Sequence, residues 1–171
     1  NQSQHAVKRS VLLEELETHS KHIGLVEQER LVSSKDSPGV QLLQTISGVA
    51  LRSAESVVAF IDNPHRFPNS KRLGSYFGLM PSQDQSGGTN RMHHITKEGC
   101  PVMRAMLTEA VWQTVRRSPT VKSFQQRVPR GKPNRRRISM IATSHYLVRV
   151  MWSMLKNVMV WQERTPAVLA T

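Results

Sequence analysis

NRRRISMIATSHYLVRVMWSMLKNVMVWQ, Asn134 to Gln162, is the stretch that decides the fold. Ile138, Ile141, His145, Val148, Trp152 and Leu155 recur at steps of three and four, the signature of one helical stripe. Ala142, Leu147, Val150, Met151 and Met154 widen the stripe until it covers most of the surface beyond the first turns. A helix that is apolar on most sides has to be surrounded by other elements. The spacing therefore predicts a long helix over 134–162 and a core assembled around it.

The neighbouring segments supply helices to surround it. Met103, Leu107, Ala110 and Val111 give one apolar face, with Pro101 suited to the first turn and an end near Arg117. A shorter helix is expected over 119–127, and another in SKRLGSYFGLMP, carrying Leu73, Tyr76 and Phe77. Upstream, Leu42, Leu43 and Ile46 lead through Ser47-Gly48-Val49 into a helix with Ala54, Val57, Val58 and Ile61 on one side. Two short helices joined this way read either as a helix-hairpin-helix unit or as a plain helical hairpin. In the first reading, Gly48 and the following helix N-terminus meet a nucleic-acid phosphate. Ser47 and Ala50 depart from the usual Pro-Gly-Val-Gly turn of that unit.

Residues 5–33 read as one long helix. Leu12, Leu16, His19, Ile23, Val26 and Arg30 alternate four- and three-residue steps, a heptad seam with two polar interruptions. So narrow a stripe predicts pairing with another helix or packing on this domain's own core. SSKDSPG, Ser33 to Gly39, breaks the helix. PSQDQSGGTNRMHHITKEG, Pro81 to Gly99, reads as a polar loop. With no sustained period of two, the expected fold is all-α. It comprises a coiled-coil-like helix over 1–36 and a helical domain over 37–171 with a helix-hairpin-helix-like unit.

Charge narrows the partners. The chain of 171 residues carries a formal net charge of +12. Residues 1–85 hold 9 basic and 9 acidic side chains, whereas 86–171 hold 15 basic and 3 acidic. Such asymmetry points to a polyanion, most often nucleic acid. A single cysteine, Cys100, excludes a disulfide framework and a cysteine-based zinc site, and fits a reducing compartment. No apolar run approaches ~18 residues, so no membrane-spanning helix is expected. The start, NQSQHAVKRS, is polar and lacks an initiator Met, as in a piece of a longer protein without a leader.

The chemical candidates fall in the same basic half. Ser86, followed by Gly87 and Gly88, is a hydroxyl on a pliant segment near Arg91, His93, His94, Lys97 and Arg104. Cationic clamps around a serine suit phosphoryl transfer, where catalysis is largely positioning and charge stabilisation. The G-x-S-x-G pattern of acyl transfer is absent. Adjacent His93 and His94 make a poor chelate, and the acidic residues after Ser86 do not cluster, so no metal site is expected. RGKPNRRR places Arg130, Lys132, Arg135, Arg136 and Arg137 in one basic turn suited to phosphate contact. Trp112, Trp152 and Trp161 sit at helical positions and are expected in the core.

LLQTISGVALRSAESVVAFI, RFPNSKRLGSYFGLMPSQDQSG, HITKEGCPVMRAML and RRRISMIATSHYLVRVMWSMLK, in this order, resemble the C-terminal domain of one transposase family. These are the DEDD-type insertion-sequence transposases related to the Piv invertase, bridge-RNA-guided recombinases. The resemblance runs from about Val40 to Lys156, and the block from Tyr76 to Ser86 is its most specific part. It implies that Ser86 is the nucleophile that attacks DNA and forms a phosphoserine link. It implies that Gly87 belongs to the same loop, and that Lys97, Gly99 and Arg104 support the loop or the phosphate; Arg91, read from the loop's own cations, is expected to join them. Met103 and Cys100 stand where the family usually has Leu and Asn. The resemblance further implies Mg2+ held in a separate RuvC-like domain, DNA and a guide (bridge) RNA as partners, and a homo-oligomer through the N-terminal helix. The expected setting is the prokaryotic cytoplasm, at the nucleoid. The alternative is a non-catalytic helical module that binds DNA or RNA.

Overall fold

Asp36, Ser37 and Pro38 end the first helix and begin the second, and the chain divides there into two units, Asn1–Ser37 and Pro38–Thr171. The computed structural model describes residues 2–86, 89–95, 98–129 and 135–164, with side chains described outside 1–3 and 81–94. The first unit is one helix, α1 (Gln2–Lys35). Its heptad positions Leu12, Leu16, Ile23 and Val26 are all exposed.

The second unit is helical, as the sequence predicts, and carries every residue of the buried core. In chain order it comprises α2 (Pro38–Gln44), α3 (Leu51–Ile61), a 3-10 turn (Pro64–Arg66), α4 (Ser70–Tyr76), β1 (Pro81–Ser86), β2 (Thr89–Ile95), α5 (Pro101–Arg117), α6 (Pro119–Arg127) and α7 (Arg136–Asn157). Several starts have a local cause. Asn69 accepts a hydrogen bond from Arg72 N–H at 3.0 Å, and Ser118 accepts from Val121 N–H at 3.2 Å. Both satisfy backbone donors left over by the first helical turn. Pro101 and Pro119 take first-turn positions, where a missing N–H costs nothing.

Helix α7 packs against α2, α4, α5 and α6 and is the centre of the unit. Its buried stripe is offset from the expected one. Ser139, Met140, Thr143, Ser144, Leu147, Val148, Met151 and Met154 face inward, while Ile138 is 58% exposed. Periodicity missed this because three of the inward residues carry hydroxyls. Ser139, Thr143 and Ser144 donate to the carbonyls of Arg136, Ser139 and Met140 at 3.1, 2.7 and 3.0 Å. A hydroxyl bonded back to its own helix is satisfied, and its residue packs as a small side chain.

The helix also stops earlier than expected, at Asn157. Val158 takes a left-handed conformation (φ 52, ψ 47), and Met159 N–H bonds to Met154 O at 3.2 Å. Trp161 therefore lies beyond the helix. Trp161 and Trp152 still pack, partly buried, against the core as expected, and only Trp112 departs from that role. Trp112 is 39% exposed, and half-buried Trp152 donates its ring N–H to Pro64 O at 2.8 Å.

One element was not anticipated. Pro81–Ile95, read as a loop, contains an antiparallel hairpin of β1 and β2. Its strands are mostly polar, with Met92 and Ile95 the exceptions, so the alternation of apolar and polar residues that marks a strand is missing. The available signal was the Gly-Gly pair between two short runs, a hairpin composition.

Candidate functional site

The hairpin registers Pro81 with Ile95, Gln83 with Met92, Asp84 with Arg91, Gln85 with Asn90 and Ser86 with Thr89, with an irregularity between Pro81 and Gln83. Ser86 is thus the last residue of β1, at the tip end of the ladder. Gly87, Lys97, Arg130 and Lys132 lie outside the described residues, as do the side chains of Ser86, Arg91, His93 and His94.

The base of the hairpin begins at the end of α4. Gly78 has φ +65, Gly78 N–H bonds to Ser75 O at 2.8 Å, and Leu79 N–H bonds to Gly74 O at 3.0 Å. This pair of bonds with a left-handed glycine is a Schellman stop. It buries Leu79 and turns the chain directly into β1. The returning chain meets the same glycine. A Cβ on Gly99 would lie 2.6 Å from Gly78 N, and one on Gly78 would lie 2.6 Å from Gly99 N. Neither position accepts a side chain without moving backbone. Arg104, one turn into α5, donates a guanidinium N–H to Gly99 O. The two ends of the hairpin are therefore joined at Gly78, Gly99 and Arg104. Of the residues the sequence singled out, Gly99 and Arg104 come together here, while Gly78 was missed. Its signal was a glycine between an apolar helical run and the buried Leu79.

Gly48 has φ +100, and its Cβ would lie 2.7 Å from the backbone of Gln113 and Thr114 on α5. Close packing of α5 on this turn accounts for the glycine. α2 and α3 form a helical hairpin, and Ala50 begins α3 with no side-chain cap.

The basic turn leads into α7. Arg135 precedes the helix, Arg136 and Arg137 open it, and Arg136 lies over the exposed ring of Trp112 at 5.5 Å. The first turn has no acidic residue and no side-chain cap. Three guanidiniums at the positive end of a helix dipole repel it, and an anion placed there relieves the repulsion. In the middle of α7, His145 sits beneath Gly74 of α4 with its Nε2 buried and without a hydrogen-bond partner. Burial first, and then the Arg149 guanidinium, hold its pKa below the usual imidazole value.

Among the described residues no group of three or more His, Cys, Asp or Glu side chains could hold a metal ion. No helix among them is long and apolar enough to cross a membrane.

The sequence model of the transposase IS116/IS110/IS902 family matches residues 40–126, just over half of the chain. A "probable family 20 transposase" of Pseudomonas aeruginosa PAO1 is 25% identical over 148 residues, covering 85% of this chain and 44% of its own length. A transposase for insertion sequence element IS1111A of Coxiella burnetii is 33% identical over 96 residues, covering 56% of this chain and 26% of its own length. The chain thus spans less than half of either relative. The matched segment begins in α2 and ends in α6, and so includes the hairpin, its Gly78–Gly99–Arg104 root and the start of α5. On this match, the chain belongs to the IS116/IS110/IS902 transposase family.

Proposed function

We propose that this chain is the serine-nucleophile, nucleic-acid-binding domain of a DNA transposase or site-specific recombinase. It works in a composite active site with a RuvC-like domain that lies outside the chain and holds Mg2+. The observation that carries the reading is the position of Ser86, at the tip end of a polar hairpin whose two ends are joined at Gly78, Gly99 and Arg104. A nucleophile that must reach into a duplex benefits from a projecting segment with a fixed base. In the proposed step Ser86 Oγ loses its proton and attacks a phosphodiester phosphorus. The new Oγ–P bond replaces one deoxyribose O–P bond, and the released sugar oxygen takes up a proton. The phosphoserine link conserves the energy of the broken bond for rejoining.

Cations assist this chemistry by neutralising the charge that builds on the phosphoryl oxygens. Arg135, Arg136 and Arg137 fit the simpler task of holding backbone phosphates, with Arg130 and Lys132 in the same basic turn. A guide RNA would supply the choice of DNA site, consistent with basic residues that contact phosphates and leave bases unread. The exposed apolar seam of α1 suits pairing with a second copy. Such a protein works at the nucleoid of a prokaryotic cytoplasm.

Ser86→Ala in the full-length protein is expected to abolish strand transfer while nucleic-acid affinity stays within about twofold, since a phosphate-contact surface governs affinity. Incubation of the complete enzyme with guide RNA and DNA should yield a protease-sensitive protein–DNA adduct that maps to Ser86. Wild-type recombination by the Ser86→Ala protein would leave a non-catalytic binding module as the reading.

A further inference from the structure

Counting charge along the chain hides a second cationic surface, which folding assembles from both halves. Trp152 of α7 donates to Pro64 O at 2.8 Å, and Arg149 Nε donates to Ser70 Oγ at 3.1 Å. These bonds lay the stripe Arg149, Trp152 and Lys156 of α7 against the 3-10 turn and the start of α4. The result gathers His65, Arg66, Lys71, Arg72, Arg149 and Lys156 on one side of the unit. All but Lys156 are exposed. No Asp or Glu occurs in residues 63–83 or 110–162, so neither contributing segment brings a carboxylate. Among the described residues none of the six has an ion-pair partner.

This surface is separate from the basic turn. Arg149 is thirteen residues after Arg136, about 20 Å along the helix and on nearly the opposite side of it. Its aromatic rings are already occupied. The Arg66 guanidinium lies 4.8 Å over Phe67 and 5.0 Å over Tyr76, and Lys156 Nζ lies 4.8 Å over Trp152. Rings covered by cations are not platforms for unpaired bases, which single-strand binders require. Fixed cations without stacking rings suit a duplex, whose bases stack on each other and whose phosphates face outward. The patch adjoins the end of α4, from which the chain enters the hairpin. Tyr76 packs edge-on against Phe77 at 5.9 Å, and Phe77 precedes the Gly78 stop.

We propose that His65, Arg66, Lys71, Arg72, Arg149 and Lys156 form a face that grips the phosphate backbone of duplex DNA and presents that duplex to the Ser86 hairpin. The inference rests on the DNA-transposition reading above and adds the surface that holds the substrate. The grip is independent of sequence.

The test uses the full-length protein and a labelled mixed-sequence DNA duplex of about 30 base pairs, with affinity followed across salt concentration. Lys71→Glu/Arg72→Glu changes two exposed side chains, and Lys71→Gln/Arg72→Gln is the milder second variant should the reversal disturb folding. The glutamine pair should weaken duplex binding about tenfold near 0.1 M salt and flatten the log–log salt slope by up to ~1.8, that is ~0.9 for each lost phosphate contact. The glutamate pair should weaken it further, both with unchanged melting temperatures. An unchanged affinity and slope in both variants overturns the face. If Arg135→Ala/Arg136→Ala/Arg137→Ala flattens the slope in that case, the DNA-binding reading stands and only this surface falls. A loss confined to an RNA duplex of the same length also overturns it, in favour of guide-RNA contact. Wild-type protein with no salt-dependent DNA affinity sinks the functional reading itself, and this inference with it.

Discussion

Two single residues stand at helix ends without the side chain that the position favours. Val158 adopts φ 52 at the end of α7 and is 80% exposed. A β-branched residue in the left-handed region is strained, and no packing offsets the strain here. Val158→Gly is expected to raise the unfolding free energy by about 1 kcal/mol, the left-handed cost less the extra chain entropy of glycine. Cys100 precedes α5 with extended backbone (φ −60, ψ 119) and caps no backbone donor. Asparagine is among the best residues at such a position. Cys100→Asn should stabilise by about 1 kcal/mol. Urea unfolding checks both, as a higher midpoint at unchanged slope. At this scale the sequence marked Ser86 and Arg104 as candidates, because serine beside glycine and arginine after a loop are chemical signals in themselves, whereas Gly99 was marked only by the family resemblance. Gly78 and Val158 escaped notice because left-handed backbone is a property of the finished turn. Glycine hints at it, whereas valine argues against it.

At the scale of elements, an ending proved harder to read than a periodicity. The apolar run Val158-Met159-Val160-Trp161 continues the pattern of α7, so nothing local announces the stop. What replaces the helix is a strap across other elements. Trp161 N–H donates to Thr45 Oγ1 at 3.0 Å, and Arg164 N–H donates to Thr120 Oγ1 at 2.6 Å. Between them Glu163 accepts from Ser118 Oγ at 2.9 Å, Thr120 N–H at 3.2 Å and Trp161 Nε1 at 2.8 Å. A carboxylate from the far end of the chain thus caps the start of α6, where the helix dipole favours negative charge. Partial burial pushes the Glu163 pKa up, but bonds from Trp161, Thr120 and Ser118 outweigh it and leave the pKa below the ordinary value. A folded pKa below the unfolded one means stability that is complete above the ordinary carboxylate range and lost as pH falls through the folded value. Thermal melts at pH 7 and pH 3 check this. Glu163→Gln should melt lower than wild type at pH 7, and the difference should shrink at pH 3. The hairpin is the opposite case. Its strands were illegible because their sequence carries no sustained alternation of apolar and polar residues.

For the whole molecule, charge was legible by counting and its distribution was not. The neutral first half supplies His65, Arg66, Lys71 and Arg72 to a surface completed by α7, a juxtaposition set by two hydrogen bonds and not by sequence distance. The division into units has a sharper consequence. Every core residue lies between Val40 and Trp161, so folding of the second unit draws its hydrophobic stabilisation from within. The first unit is a single helix whose seam residues Leu12, Leu16, Ile23 and Val26 are 49%, 62%, 59% and 65% exposed. A helix with such a stripe gains little stability by itself and needs a partner to bury it. Residues 38–171 are therefore expected to melt within a few degrees of the full chain, with the same cooperative transition. Self-association should behave differently. Sedimentation of residues 1–171 should show a concentration-dependent dimer that Leu16→Lys/Ile23→Lys dissolves, because two buried ammonium groups cost more than the seam returns. Residues 38–171 should sediment as a monomer throughout. A dimer that survives both the lysine pair and the truncation would move the contact to the second unit, and α1 would then need a partner other than its own copy.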